Sequence, residues 1–320
     1  MKDFNCIVVL GPTASGKTHL ACQLAYYLNG EVISADSRQV YQYLDIGTGK
    51  DLNEYCVKGQ KINHHLIGIV HPREQFYLHQ FIEESRRCFE QIVAAGKIPV
   101  FCGGTGLYLD ALRKDFSLTA IKEDPALRQS LENLSKEALI KRLSAYTTSH
   151  TQHVDLNSKK RIIRGIEIAE YFASHQHIPD KITLPYRPFY IGIKTDLETR
   201  KQRISERLSQ RLETGLIEEV QNLLDSGISA ERLALFGLEY KHVLFFLQNK
   251  ITKQQLFSGL QTAIFQFAKR QMTWFRKMEK EGVEIHWVEK DADPKTLIQI
   301  LKYCFHIGGT KNSSTTEFEV

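Results

Sequence analysis

The sequence lacks the features that mark several classes of protein. Its 320 residues include only six cysteines, and none lies in a C-x-x-C pair or with histidines at the spacing of a zinc site. This argues against disulfides and structural zinc, and it predicts reduced cysteines in a cytoplasmic protein. No apolar run approaches the roughly 20 residues of a membrane helix. The N-terminal apolar stretch is too short for a signal peptide, so we expect no membrane association.

The chain also lacks a strong excess of charge of either sign. Its formal net charge is +5, with 25% charged and 42% hydrophobic residues, which is ordinary for a globular protein with a sizeable core. This balance permits a nucleic-acid partner without requiring one, so local clusters of cations carry more information. The segment 308–320 is rich in Gly, Ser and Thr and is predicted to be a disordered tail.

Short apolar segments alternate with amphipathic segments over most of the chain. This alternation predicts an α/β fold, a parallel sheet flanked by helices, formed by residues 1–118 and 186–307. Between them, residues 119–185 show helical patterns without a strand, which predicts an inserted all-helical domain. Strands are predicted at 6–10, 31–36, 189–194 and 283–288, and helices at 17–28 and 81–96.

The segment GPTASGKT, residues 11–18, has the form of a phosphate-binding loop. Gly11, Gly16, Lys17 and Thr18 fill every fixed position of G-x-x-x-x-G-K-[ST], between a predicted strand and a predicted helix. The glycines let backbone N–H groups surround an anion, Lys17 adds a positive charge, and the Thr18 hydroxyl can hold Mg²⁺. The motif therefore predicts a P-loop NTPase-like core that binds a di- or triphosphate, but it does not identify the rest of the ligand.

Asp36 lies at the end of the predicted strand that follows this loop. In a parallel sheet that position faces the ligand crevice, where a carboxylate could act as a metal ligand, a general base or a helix N-cap. The sequence shows no convincing second acidic strand end of the Walker B kind, which argues against a plain ATPase. Position alone leaves the three roles of Asp36 open.

Three clusters of cations lie on predicted helices. Arg203, Arg207 and Arg211 recur every four residues, and they form either a ligand-binding row or a solvated face paired with Glu206 and Glu213. The other two clusters are KKRIIR at 159–164 and AKRQMTWFRK at 268–277. Cations mixed with aromatic residues suit phosphate contacts and base stacking, although the aromatics could equally belong to a core. Together the clusters favour an RNA partner.

Seven segments in a fixed order make the chain resemble the tRNA dimethylallyltransferases (tRNA isopentenyltransferases) of the bacterial type. They are GPTASGKT (11–18), ISADSRQVYQYLDIGTGK (33–50), HHLI (64–67), GGTGLYLDAL (103–112), KKRIIRGIEI (159–168), RISERLSQRLETGLIEEV (203–220) and AKRQMTWFR (268–276). Ordered matches over roughly residues 5–290 are far more specific than the phosphate loop alone.

The resemblance implies a reaction and the residues that carry it. Asp36 would act as base on the exocyclic 6-amino group of the adenosine 3′ of a tRNA anticodon, while Thr13 and Arg207 stabilise the leaving diphosphate. The products would be isopentenyl-adenosine in tRNA and pyrophosphate. The diphosphate of dimethylallyl diphosphate, with Mg²⁺ near Thr18, would be held by Gly11, Thr13, Ala14, Ser15, Gly16, Lys17 and Thr18.

The resemblance also implies contacts with the anticodon stem-loop of tRNA. They fall on Asp36, Ser37, Arg38, Gln39, Thr105, Arg128, Lys160, Arg161, Arg164, Lys269, Arg270, Gln271, Thr273, Trp274 and Arg276. The helical insertion 119–185 is therefore expected to bind tRNA, and the protein is expected to be a monomer. Local alternatives stay open, since Thr105 could bond the backbone of a turn and Arg164 could pair with Glu167.

The chain departs from the usual form of this family at several positions. No proline follows Lys50, acidic residues are missing at Gly68 and His71, Ala234 and Glu239 replace basic residues, and Arg211 replaces a frequent methionine. The changes at 234 and 239 concern the RNA contacts and leave the residues of the reaction intact.

Other functions stay open at this point. A P-loop kinase would transfer the γ-phosphate of ATP to a small molecule, and an adenylate isopentenyltransferase would prenylate free AMP or ATP. The spread of cations argues against a mononucleotide acceptor. A non-catalytic RNA-binding protein would leave Asp36 and a complete phosphate loop without a role.

Overall fold

The computed structural model describes residues 4–146, 154–174, 181–290 and 294–305. The predicted disordered tail at 308–320 lies outside these ranges. The chain divides into two compact units, one formed by Met1–Arg113 with Pro185–Val320 and the other by Lys114–Leu184. Within the described ranges, no helix combines the length and the apolar composition needed to cross a bilayer.

A parallel sheet forms the centre of the larger unit. In the described residues it has six strands in the order β5-β2-β6-β1-β7-β8, and a separate hairpin pairs β3 with β4. The strands are β1 (Cys6–Leu10), β2 (Gly30–Ser34), β3 (Cys56–Val57), β4 (Gln60–Lys61), β5 (His64–His65), β6 (Ile98–Gly103), β7 (Pro188–Lys194) and β8 (Ile285–Glu289). Every strand pair in the sheet is parallel, which confirms the predicted α/β class.

Helices flank this sheet, as predicted. In the larger unit they are α1 (Lys17–Tyr27), α2 (Leu78–Ala94), α3 (Gly106–Ala111), α7 (Leu197–Glu213), α8 (Leu216–Asp225), α9 (Ala230–Ala234), α10 (Leu238–Leu247), α11 (Lys253–Lys280) and α12 (Pro294–Cys304). The predicted helix at 81–96 begins earlier, at Leu78, because the Gln80 side chain accepts a 2.8 Å hydrogen bond from Tyr77 N.

The central strand β1 sets where the site forms. All five of its residues are buried, with Val8 opposite Phe101 on one side and Tyr190 on the other. A strand buried on both faces needs a continuous apolar run, and CIVVL supplies one. Because β1, β2 and β6 run parallel, the loops that follow them meet at one edge of the sheet. Those loops are the phosphate loop, the segment after Ser34 and the turn after Gly103.

The smaller unit is helical in its described residues. It contains α4 (Pro125–Glu132), α5 (Lys136–Ser144) and α6 (Lys159–Ser174). The side chains of Asp124 and Ser135 cap the N-termini of α4 and α5. Its own apolar core contains Leu131, Leu139, Leu143, Ile162, Ile163 and Ile166. The role of this unit in tRNA binding stays a prediction.

Candidate active site

The phosphate loop forms a turn that opens its backbone to an anion. Ala14 and Gly16 both have positive φ angles, 60° and 87°. The Cβ of any larger residue at Gly11 would lie 2.6 Å from Ser15 Oγ, so the turn requires glycine there. Ser15 Oγ is buried and has no hydrogen-bond partner among the described residues. Ser15 does not line the cavity, so its contact with the diphosphate stays a prediction.

Lys17 lies among charges that belong to different parts of the chain. Burial lowers the pKa of Lys17, the negative charge of Asp36 raises it, and the positive charge of Arg207 lowers it. Asp36 and Arg207 are therefore both close enough to influence Lys17, although 171 residues separate Asp36 from Arg207 in the sequence. A desolvated ammonium beside a guanidinium is stabilised by a polyanion between them.

Asp36 is held by its own turn at the end of β2. Its Oδ1 accepts a 2.9 Å hydrogen bond from Arg38 N, and a turn follows rather than a helix. The N-cap alternative for Asp36 is therefore wrong. Thr105 Oγ1 accepts a 3.1 Å hydrogen bond from Ser37 N, so the Thr105 hydroxyl fixes the neighbouring backbone. The carboxylate is half-buried at the cavity wall, where it can receive a proton.

Gln271 joins the phosphate loop to the turn after β6. Its Oε1 accepts a 2.8 Å hydrogen bond from Thr13 N, and its Nε2 donates a 2.9 Å bond to Gly104 O. The side chain is buried, with 6% of the residue exposed. Gln271 thus positions the two loops, a role that the sequence pattern did not indicate. Its predicted contact with tRNA stays a prediction.

The arginine row of α7 faces the phosphate loop. Arg207 forms an ion pair with Asp51, and Arg211 Nη1 lies 3.5 Å from Glu239 Oε1. Because neither arginine pairs with Glu206 or Glu213, the alternative of a solvated face is wrong for these two residues. Nη1 of the third arginine, Arg203, is buried without a hydrogen-bond partner in the described part of the chain.

These groups line one cavity of about 1090 Å³ in the larger unit. Its volume can hold a prenyl diphosphate together with a nucleobase. Gly11 and Ser15 of the loop are buried and do not line this cavity. The predicted site residues on its wall are Thr13, Ala14, Gly16, Lys17, Thr18, Asp36, Ser37, Arg38, Gln39, Thr105, Arg207, Arg270, Gln271 and Trp274.

Helix α11 brings its basic and aromatic residues to different places. Phe275 is fully buried, so it belongs to the core. Trp274 lies against Gly106, where a Cβ would come within 2.4 Å of the indole, and it donates a 3.1 Å hydrogen bond to Asp110 Oδ2. The exposed face of the helix carries Lys269, Arg270, Thr273 and Arg276. Their contact with tRNA stays a prediction.

Four predicted tRNA-binding residues lie in the smaller unit. Arg128 pairs with Glu123 at 2.6 Å and with Glu167 at 2.8 Å. Arg164 lies 3.6 Å from the same Glu167 and also donates to two backbone carbonyls, Leu118 O and Ile121 O. These two arginines therefore have structural partners. Lys160 and Arg161 are exposed on the surface of α6. Arg161 Nη1 lies 2.7 Å from Asp155 Oδ2.

The carboxylate of Glu219 on α8 holds the backbone of residues 45–47, in the segment that follows β2 and Asp36. Glu219 Oε2 accepts hydrogen bonds from Asp45 N and Ile46 N, at 2.8 and 2.7 Å. Its Oε1 accepts from Gly47 N at 3.0 Å and from the Tyr240 hydroxyl at 2.7 Å. One side chain thus satisfies three backbone donors and fixes a loop of the cavity wall. Sequence reasoning missed this role because the three backbone donors lie more than 170 residues from Glu219 in the chain.

Replacing Glu219 by glutamine is expected to lower the free energy of unfolding by about 2–3 kcal/mol, because an amide cannot accept all four hydrogen bonds. Urea denaturation measures the loss. The matched control is Glu218→Gln on the exposed side of α8, expected to cost at most about 1 kcal/mol through the helix dipole. Equal losses in the two variants would contradict the role of Glu219.

The phosphate loop suits Mg²⁺ only if substrate phosphates supply the other ligands of the ion. Among the described residues, no group of three or more His, Cys, Asp or Glu side chains could enclose a metal ion. Thr18 lines the cavity beside the other residues of the phosphate loop. Mg²⁺ is often held by one or two protein oxygens together with substrate phosphates, and this donor set suits that mode.

Comparison with known proteins identifies the family. The model of the IPP transferase family matches residues 39–278, and that of the isopentenyl transferase family matches residues 4–66. The chain belongs to the IPP transferase family. This confirms the resemblance to tRNA isopentenyltransferases that the seven segments indicated.

Relatives of similar length carry one name. The chain is 45% identical to tRNA dimethylallyltransferase 2 of Phocaeicola vulgatus over 90% of this chain and 94% of that protein. It is 46% identical to tRNA dimethylallyltransferase 2 of Porphyromonas gingivalis over 88% and 93%.

Solved structures of the family agree with the fold. The tRNA isopentenylpyrophosphate transferase of Bacillus halodurans matches with a TM-score of 0.69 and 31% identity, over 94% of this chain and 97% of that one. A eukaryotic dimethylallyltransferase described as acting on tRNA matches with a TM-score of 0.72 and 26% identity, over 90% and 74%.

Proposed function

We propose that this IPP transferase family member is a tRNA dimethylallyltransferase. It transfers the dimethylallyl group of dimethylallyl diphosphate to the exocyclic N6 of the adenosine 3′ of a tRNA anticodon, giving isopentenyl-adenosine and pyrophosphate. The observation that supports this most strongly is that Asp36 and five residues of the phosphate loop, Thr13, Ala14, Gly16, Lys17 and Thr18, line one cavity. A base and a diphosphate cradle in one cavity are what this reaction requires.

The phosphate loop and its neighbouring cations stabilise the leaving group. As the bond between the allylic carbon and the bridging oxygen breaks, negative charge builds on the diphosphate. Lys17 and Arg207 border the cavity where that charge develops, and Thr13 offers a further hydroxyl. Mg²⁺ bound by the Thr18 hydroxyl together with the diphosphate would neutralise more of this charge.

Asp36 accepts the proton from the nucleophile. The amine of adenine is a weak nucleophile because its lone pair is delocalised into the ring, so a base must remove a proton as the C–N bond forms. The hydrogen bond from Arg38 N fixes one oxygen of the Asp36 carboxylate. The other oxygen receives the N6 proton and later releases it to water.

The acceptor base must leave the anticodon loop to reach this cavity. Unstacking costs a few kcal/mol, and less in a loop than in a duplex. Half-exposed apolar side chains on the cavity wall, namely Leu107, Leu235 and Phe267, can cover the extruded base. The exposed cations of α11 then contact the RNA backbone. We propose that the protein acts as a monomer, in the cytoplasm where tRNA is found.

The experiment that tests this function uses two labelled donors. The protein is incubated with bulk tRNA and either dimethylallyl diphosphate labelled in its prenyl carbons or ATP labelled in its γ-phosphate. The proposal predicts label in tRNA from the first donor and no transfer from the second. Transfer of the γ-phosphate would favour a kinase, and prenylation of free AMP but not of tRNA would favour an adenylate isopentenyltransferase.

A further inference from the structure

The guanidinium that the proposed function assigns to the diphosphate already has an anionic partner in the chain. Arg207 is ion-paired with Asp51, and both residues line the cavity. The Asp51 carboxylate and a bound diphosphate would therefore contact the same guanidinium. Two anions that use one cation must compete unless the cation has room for both.

Geometry leaves little room for Arg207 to serve both anions. Gly49 has φ +64°, and a Cβ there would lie 2.6 Å from Arg207 Nη2 and 1.9 Å from Arg211 Nη2. The backbone of Gly49 thus packs against both guanidinium groups. Arg211 occupies the adjoining space, and as a like charge it disfavours any approach of Arg207.

The two ion pairs of the arginine row differ in exposure. The side chains of Arg211 and Glu239 are only 12% and 17% exposed, whereas those of Arg207 and Asp51 are 29% and 38% exposed. Burial lowers the pKa of Arg211 and raises that of Glu239, and the attraction between the two opposes both shifts. A buried pair is costly to break, so Arg211 stays with Glu239. The more exposed pair is the one that a ligand can exchange.

We propose that Asp51 competes with the donor diphosphate for Arg207 and so sets a lower affinity for the donor than the phosphate loop alone would give. This inference rests on the proposed function.

Binding of inorganic pyrophosphate, measured by titration calorimetry, tests the competition without any transfer reaction. The Asp51→Asn variant is expected to bind pyrophosphate about tenfold more tightly than the wild type, because one competing charge is lost. Asparagine suits the left-handed φ of 42° at this position. Should it fail to fold, Asp51→Gly removes the carboxylate at the same φ without strain.

A double-mutant cycle separates competition from simple repulsion. In an Arg207→Ala background, Asp51→Asn should change pyrophosphate affinity by less than about twofold, because no shared guanidinium remains. The control Glu198→Gln removes an exposed carboxylate of α7 outside the cavity wall and should also stay within about twofold of the wild type.

Two results would overturn the inference. Weaker or unchanged pyrophosphate binding by a folded Asp51→Asn protein would show that Asp51 does not compete for Arg207. A tenfold gain that persists in the Arg207→Ala background would show a general effect of charge. Neither result bears on the proposed function, which instead fails if the wild-type protein transfers no prenyl label to tRNA.

Discussion

Replacing Asp36 by asparagine is expected to slow prenyl transfer to tRNA by about 10²- to 10⁴-fold, the usual contribution of a positioned general base. The amide can still accept the hydrogen bond from Arg38 N but cannot take the N6 proton. Single-turnover transfer from labelled dimethylallyl diphosphate to an anticodon stem-loop measures the chemical step.

The control for this variant is binding of the leaving group. Asp36 does not belong to the phosphate loop, so the dissociation constant of pyrophosphate should stay within about threefold of the wild type. Asp36→Ala should likewise slow transfer and leave pyrophosphate binding unchanged. Agreement of the two variants would show that the effect comes from loss of the base and not from a new hydrogen bond made by asparagine. Turnover at the wild-type rate in either variant would remove Asp36 as the base.

Replacing Lys17 by alanine is expected to weaken pyrophosphate binding and to lower prenyl transfer by about 10²- to 10³-fold, the usual cost of one lost donor to a developing anion. Calorimetry with pyrophosphate and steady-state kinetics with the prenyl donor measure the two effects. Lys61→Ala is the matched control, because Lys61 is an exposed lysine of β4 outside the cavity wall. Equal binding by both variants would contradict the role of Lys17.

Lys17 also predicts a direction for the pH dependence of diphosphate binding. Burial lowers the pKa of Lys17, so the ammonium loses its charge at a lower pH than a free lysine. Pyrophosphate affinity should therefore fall as the pH rises through that lowered pKa. A Lys17→Arg variant keeps its charge and corrects for the ionisation of pyrophosphate itself. Measurements from about pH 7 to 10 should show a steeper fall for the wild type.

The parts of the site that local sequence determines were predictable. The phosphate loop needs only a strand, a glycine turn and a helix in sequence, and Asp36 needs only the end of the next strand. The parallel sheet followed from the alternation of apolar and amphipathic segments. The two-residue strand β5 carries no periodicity and was not predicted.

Contacts between distant segments could not be predicted in this way. The four-residue period of α7 indicated that its arginines share one edge, but the period is the same whether their partners are neighbours on the helix or residues of another segment. The partners proved to be Asp51 and Glu239. Gln271 likewise bonds the phosphate loop from 258 residues away, a contact that only tertiary packing determines.

A crystal structure with an uncleavable thio analogue of dimethylallyl diphosphate and an anticodon stem-loop RNA would test the proposed chemistry most directly. We expect the diphosphate in the loop at residues 11–18 and one Asp36 oxygen within about 2.6–3.2 Å of the extruded adenine N6. An Asp36 carboxylate directed away from the base would contradict its proposed role as the base. A diphosphate bound outside the loop would contradict the proposed role of residues 11–18.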